Sequence, residues 1–356
     1  MSPSFTIGRN AIGDTHPTYF IADIAANHDG DLSRTKDLIH LAAEAGANAA
    51  KFQNFRAETI VSDKGFRDLT TQLSHQATWK KSVFQVYRDA SLPVEWTPEL
   101  KACCDEAGID YFTTPYDLSL IDTLLSHVCA WKIGSGDITW HEMIDRLAAT
   151  GIPLLLATGA STIEEVRAAV AVARHRARDI VLMQCNTNYT ASVENFHHIA
   201  LNVLKAYARE FPDTVLGLSD HTPGHATVLG AVALGARVIE KHFTDDCGRD
   251  GPDHKFSMDP RTWRDMVDRT RELQAALGGE EKRVMDNEAQ TVVIQRRSIR
   301  AAQSIPAGTK ITSEMLAMLR PCPEDALPPC RADEVLGREA ARDLEAGDCI
   351  RPGDLR

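Results

Sequence analysis

Eight short apolar runs alternate with amphipathic stretches between residues 19 and 243, and that order leaves few folds open. The runs are YFIADIA (19–25), NAAKFQ (48–53), DYFTT (110–114), AWKIGS (130–135), PLLLAT (153–158), IVLMQC (180–185), VLGLSD (215–220) and VIEKHF (238–243). They are nearly continuous in apolar character, as parallel strands buried on both faces are. Between them lie helical patterns such as SRTKDLIHLAAEAG (33–46), TIEEVRAAVAVARHR (162–176) and HATVLGAVALGA (225–236). Ser33 reads as the cap of the first and Gly46 as its stop. Strict β–α alternation gives a parallel sheet with crossover helices, and eight rounds close it into a (β/α)₈ TIM barrel. A doubly wound sheet would carry a Gly-rich phosphate turn after its first strand, whereas this strand runs into AANHDG.

Residues 51–110 exceed a standard βα unit and contain WKKSVFQVYRDASLPVEW (79–96), read as a helix and a turn at Leu92-Pro93. An insertion on this side of a barrel is expected to cover the site. After the barrel, assigned to residues 1–277, GGEEKRVMDNEAQ (278–290) is charged and poor in apolar residues, and is read as a linker. Residues 291–356 then form a small β-rich module, in which SIPAGTKITSEML (304–316) and DLEAGDCIRPGDL (343–355) repeat an Ala-Gly turn before a β-branched residue. The chain carries 39 basic and 50 acidic residues, a net charge of −11, all of it before residue 291. That balance argues against a nucleic-acid or anionic-membrane surface. No apolar run approaches the ~20 residues of a membrane span. With no export signal in MSPSFTIGRN and no CxxC pair, the eight cysteines are expected to be reduced thiols in a cytoplasmic protein.

In such a barrel the active site lies at the C-terminal strand ends. Polar residues recur there: Asp23, Asn27 and His28; Lys51 and Gln53; Lys132, Ser135 and Asp137; Gln184, Asn186, Thr187 and Tyr189; Ser219, Asp220 and His221; Glu240, Lys241 and His242. Lysines inside apolar strands are costly unless paired or bound to an anion. Lys51 and Lys132 are therefore read as converging on a phosphate or carboxylate, with Gly134, Ser135 and Gly136 allowing close backbone approach. His221 and His242 end successive strands, and neighbouring strands lie ~4.8 Å apart, so the imidazoles can share one divalent ion. Two histidines with vacant positions suit an open catalytic centre, and Mn²⁺, Mg²⁺, Fe²⁺ and Zn²⁺ all remain open. HExxH, GxSxG and Walker A motifs are absent, which counts against zincin, esterase and nucleotide-hydrolase chemistry.

IADIAANHDGDL, AAKFQ, WKIGSGD, GLSDHT, GARVIEKHFT and GPDHKFSM follow one another in the order and spacing of the sialic acid synthases and their legionaminic and pseudaminic relatives. The chain resembles that family over essentially its whole length, its tail resembles the family's SAF (antifreeze-like) domain, and residues 79–96 resemble the pseudaminic branch more than the sialic acid branch. The resemblance implies condensation of phosphoenolpyruvate with an N-acylated hexose, giving a 3-deoxy-2-keto acid and phosphate. It implies no organic cofactor and a divalent metal, with Mn²⁺ expected, on His221 and His242. It places phosphoenolpyruvate on Lys51, Lys132, Ser135, Thr158, Thr187 and Ser219, the sugar near Gln53, Tyr189 and Asp253, and the acid–base carboxylates at Asp23 and Asp137. Arg320 matches the arginine that reaches a partner's sugar site, implying a homodimer with a swapped C-terminal domain.

Four positions depart from the family pattern. Asp23 and Asp137 stand where the family has glutamates, Ala157 replaces a serine and leaves Thr158 as the nearby hydroxyl, and Thr187 replaces an asparagine. Two other readings follow. One is a related synthase for a different, phosphorylated aldose, with Arg34 and Arg56 as extra cations. The other is an inactive sugar-binding homologue.

Overall fold

The computed structural model describes residues 3–69, 76 and 79–356. The chain divides into two compact units, Met1–Gly278 and Gly279–Arg356. In the first, β1 (Ser4–Ile7) and β2 (Asn10–Gly13) form an antiparallel hairpin that the apolar runs did not predict. Eight parallel strands follow: β3 (Tyr19–Asp23), β4 (Ala49–Asn54), β5 (Asp110–Pro115), β6 (Trp131–Ile133), β7 (Leu154–Ala157), β8 (Ile180–Cys185), β9 (Val215–Asp220) and β10 (Val238–His242). They pair in sequence order, and β10 closes on β3. Every expected strand is present, and the expected helices appear as α1 (Leu32–Glu44), α8 (Ile163–Arg174) and α10 (Ala226–Ala233). The cap of α1 is Asp31 and not Ser33, because its carboxylate reaches the Ser33 and Arg34 N–H groups. Thr162 and Glu165 form a capping box on α8.

Strand side chains alternate between two cores. Phe20, Phe52, Trp131, Leu156, Leu182, Leu218 and Ile239 face the helices. Tyr19, Ile21, Ala49, Phe112, Leu155, Val181, Met183, Val215 and Val238 fill the lower lumen, joined by Ile7 and Ile12 of the hairpin. The hairpin thus plugs the floor. Asp110 anchors it, accepting from the Arg9 N–H, from Asn10 Nδ2 at 2.7 Å and from the Tyr19 hydroxyl at 2.9 Å.

The second unit contains the antiparallel pair β11 (Ser298–Ala301) and β12 (Leu316–Leu319) over its own core of Ile299, Ile305, Ile311, Leu327, Val335, Leu344 and Ile350. Its two Ala-Gly segments are structurally equivalent. Ile305 and Leu344, at the same place in each copy, exchange N–H···O bonds of 2.8 and 2.9 Å. Gly308 and Gly347 each donate at 2.8 Å to the alanine that heads the other copy, Ala340 and Ala301. Both glycines have left-handed φ, +76° and +97°, which the turn demands. The expected linker 278–290 lacks regular structure only as far as Met285; a 3₁₀ turn (Asp286–Glu288) leads into α12 (Ala289–Gln295), which crosses the boundary drawn from composition. Among the described residues, no helix is long and apolar enough to cross a membrane.

Candidate active site

The alternation that packs the lower lumen also selects what faces its upper end. Register carries Asp23, Lys51 and Gln53, Thr114, Lys132, Cys185, Ser219, Glu240 and His242 inward, above the apolar floor. Both lysines are almost completely buried, at 2% and 3% exposure, so each needs a counter-charge. Lys51 Nζ donates to Asp23 Oδ2 at 2.6 Å, and Gln53 Nε2 to the same oxygen at 3.0 Å. Lys132 Nζ lies 3.2 Å from Glu240 Oε1, which also accepts from the Ser219 hydroxyl at 3.2 Å and stands 3.9 Å from Lys51. Two cations and two carboxylates form one buried network. Burial alone would raise Asp23, but Lys51, His242 and the two hydrogen bonds outweigh it and hold the carboxyl below its ordinary value. Glu240 was legible only as one of several polar residues at a strand end, and its bridging place was missed. Its Oε2 and the Thr114 hydroxyl are buried with no hydrogen-bond partner among the described residues.

His221 and His242 come together at the mouth, ring centroids 5.5 Å apart. His221 Nδ1 donates to the Asn186 carbonyl at 3.1 Å, which fixes its tautomer. Burial lowers the His221 pKa, but Cys185, Asp220 and the Asn186 carbonyl raise it overall. His242 Nδ1 is buried with no hydrogen-bond partner among the described residues, 4.0 Å from Asp253 Oδ2, while His242 Nε2 is 3.6 Å from Asp23 Oδ2. Burial, joined by His221, Lys51 and Lys132, pushes the His242 pKa down to about 3 against the pull of Asp23. It is therefore a neutral imidazole at physiological pH. Among the described residues, no three His, Cys, Asp or Glu side chains form a ready metal cage. The donor set is two imidazoles, one with an orphaned nitrogen, and it fits a divalent ion that keeps open positions for substrate oxygens.

Around this centre lies a cavity of about 320 Å³ lined by Gln53, Tyr116, Ser135, Asp137, Thr187, Tyr189, His242 and Asp253. Burial raises the Asp137 carboxyl to about 6. Asp253 is also raised to about 6 by burial, although it accepts from the Ala26 N–H at 3.0 Å. Tyr189 packs edge-on against His221, with centroids 4.5 Å apart. Ser135, Thr187 and Cys185 meet over Gly159, whose N–H donates to the Ser135 hydroxyl at 2.9 Å. A Cβ at position 159 would lie 1.9 Å from the Thr187 hydroxyl and 2.9 Å from that of Ser135, so only glycine permits this close approach. Neither Gly159 nor the Cys185 thiol was singled out from sequence. The insertion contributes Trp79 and, from α4 (Val83–Asp89), Tyr87 to the cavity wall. His28 Nδ1 accepts from Gly30 N–H, so its Nε2 donates to the Ala90 carbonyl and ties the insertion to the first strand's loop.

Four expected residues stand apart. The Thr158 hydroxyl faces the helix layer, donating to the Met183 carbonyl at 2.9 Å and accepting from Tyr207 of α9 (Val203–Glu210) at 3.0 Å; the lumen position on β7 belongs to Ala157. Arg320 is an exposed residue of the second unit, and its Nε donates to the Gln295 carbonyl. Asp220 and Lys241 face away from the lumen as a buried ion pair.

The NeuB family matches residues 38–282, and the SAF domain residues 296–356. The N,N'-diacetyllegionaminic acid synthase of Legionella pneumophila is 34% identical over 344 residues, 95% of this chain and 94% of that protein. The pseudaminic acid synthase of Campylobacter jejuni is 30% identical over 341 residues, 95% and 96% of the two chains. Whole-chain identity is thus slightly higher to a legionaminic than to a pseudaminic synthase, whatever the likeness of residues 79–96. The crystal structure of N-acetylneuraminic acid synthetase from Leptospira borgpetersenii superposes with a TM-score of 0.71 at 27% identity, covering 82% of this chain and 96% of that one. With both of its domains matched in order, the chain belongs to the NeuB family and carries a C-terminal SAF domain.

Proposed function

We propose that this enzyme condenses phosphoenolpyruvate with an unphosphorylated N-acylated hexose to give a nonulosonic 3-deoxy-2-keto acid and phosphate. The observation that carries the reading is the buried Lys51–Asp23 and Lys132–Glu240 network directly beneath the His221–His242 pair. Each ammonium has N–H groups to spare for an anion, and Ser219, Thr114, Ser135 and the Thr187 hydroxyl supply neutral partners around it. C3 of phosphoenolpyruvate attacks the aldehyde carbon, so no protein nucleophile is required. A divalent ion on His221 and His242, Mn²⁺ by family resemblance, would act as a Lewis acid toward the aldehyde oxygen. Carbon–carbon bond formation leaves C2 cationic, and water attacks there. Asp23, ionised beside Lys51, is suited to stabilise that charge, and Asp137, with a pKa near neutrality, to accept the water's proton. Phosphate then leaves with the bridging oxygen. Gln53, Tyr189 and Asp253 bind the sugar, and Arg320 of a second copy completes that site in a homodimer with a swapped C-terminal domain. All eight cysteines are free, which fits a cytoplasmic setting.

The phosphorylated-acceptor reading loses its cations. Arg34 donates to both oxygens of Asp245 at 2.8 and 2.7 Å, and Arg56 is paired with Asp117. Phosphate release from phosphoenolpyruvate should therefore occur with N-acylated and diacylamino hexoses, and not with their phosphate esters. Absence of turnover with every aldose tried, in the presence of a divalent cation, would refute the proposal.

A further inference from the structure

Two buried charges of β9 and β10 take no part in the lumen network. Asp220 and Lys241 are cross-strand partners on the outer face of the barrel, both 1% exposed. Directly below them on the same face lies the apolar pair Leu218 and Ile239. A buried ion pair seldom adds net stability over apolar residues of the same volume, so its presence there asks for another reason.

The hydrogen bonds show what the pair holds. Lys241 Nζ donates to Asp220 Oδ2 at 2.5 Å and to the Thr222 carbonyl at 2.6 Å. Asp220 also accepts from the Thr222 N–H at 3.2 Å, from the Thr222 hydroxyl at 2.9–3.0 Å, and from the Thr227 hydroxyl of α10 at 2.7 Å. Lys241 therefore grips the chain on both sides of His221, at residues 220 and 222, while standing one residue before His242. The β9–β10 pairing ends at Asp220–Lys241, so both imidazoles lie one step beyond the last ladder position. His242 is still registered against Asp23 of β3, so the clamp is what ties the segment carrying His221 to it across the β9–β10 seam.

We propose that Asp220 and Lys241 are positioning residues that fix the spacing of His221 and His242, and through it the affinity of the centre for a divalent cation. The proposal rests on the two-histidine metal reading above. Replacing both charges by near-isosteres, Asp220→Asn with Lys241→Met, leaves no unpaired buried ion and is expected to fold. Mn²⁺ binding to the metal-free full-length protein, followed by calorimetry and by the electron paramagnetic resonance of free Mn²⁺, should weaken ~10-fold or more in this double variant, the range found for outer-sphere partners. Ile239→Val, in the same outer layer, is the packing control and should bind Mn²⁺ like the wild type. Thr227→Val keeps both charges and removes only the tie to α10; should the double variant fail to fold, this one should still weaken Mn²⁺ binding ~3-fold, within the range of one lost hydrogen bond. A folded double variant with wild-type Mn²⁺ affinity overturns the clamp alone, as does Ile239→Val weakening binding equally. For Thr227→Val, unchanged affinity does the same. A wild-type protein that binds no Mn²⁺ overturns the metal reading and the clamp together.

Discussion

Replacing Asp137 by asparagine should abolish turnover and make the protein more stable, and the stability gain should depend on pH. The carboxyl is half-buried in the cavity wall, among the described residues no cation lies against it, and partial burial raises its pKa from 3.8 to about 6. An unfolded chain releases this proton from about pH 4 upward, whereas the folded chain holds it until about pH 6. Ionisation therefore favours the unfolded state, by an amount that grows between those values and is constant above them. A shift of about two units corresponds to at most ~3 kcal/mol at pH 8, falling to roughly 1.6 kcal/mol at pH 5. Asparagine fills the same volume and cannot ionise, so it recovers that difference. Urea unfolding of the metal-free wild type and Asp137→Asn at pH 5 and pH 8 measures it directly. Phosphate release measures the loss of activity in parallel. An unchanged or pH-independent stability difference would refute the burial argument, and an active variant would refute the proton-accepting role.

Other perturbations test other parts of the site. Glu240→Gln leaves Lys132 and Lys51 short of a counter-charge and should cost ~3 kcal/mol; added phosphoenolpyruvate should then raise the variant's melting temperature more than the wild type's, because the anion replaces the lost carboxylate. Gly159→Ala drives a methyl group into the Thr187 hydroxyl. It should raise the KM for phosphoenolpyruvate ~10-fold or more in steady-state kinetics with little change for the sugar. His221→Ala should lose bound divalent cation by elemental analysis and lower kcat at least ~100-fold; unchanged metal content and ligand binding would favour the inactive sugar-binding reading.

The barrel was legible because strands buried on both faces read as unbroken apolar runs, and because each run ended in polar residues on the same side. The same double burial hides direction. In VIEKHF the sequence offers Glu240, Lys241 and His242 as equals, and only the register of β10 against β9 sends Glu240 and His242 into the lumen and Lys241 out. Thr158 was favoured over Ala157 because it carries a hydroxyl, yet the lumen position on that strand is Ala157. Gly159 matters through an approach of three side chains from the ends of two other strands, β6 and β8, which no local pattern encodes. The hairpin at residues 4–13 is short and mixed in polarity, and it becomes intelligible only as the plug of a barrel already closed. In the tail, two Ala-Gly turns were weak as a repeat, but the reciprocal Ile305–Leu344 bonds give them a shared geometry.

The most direct test of the condensation follows one oxygen atom. With phosphoenolpyruvate carrying ¹⁸O in its bridging position, Mn²⁺ and an N-acylated hexose, mass spectrometry should find a new nine-carbon acid in equal amount to phosphate, with the label in the phosphate. No new acid, or phosphate released without the label, would contradict water attack at C2 and with it the proposed reaction.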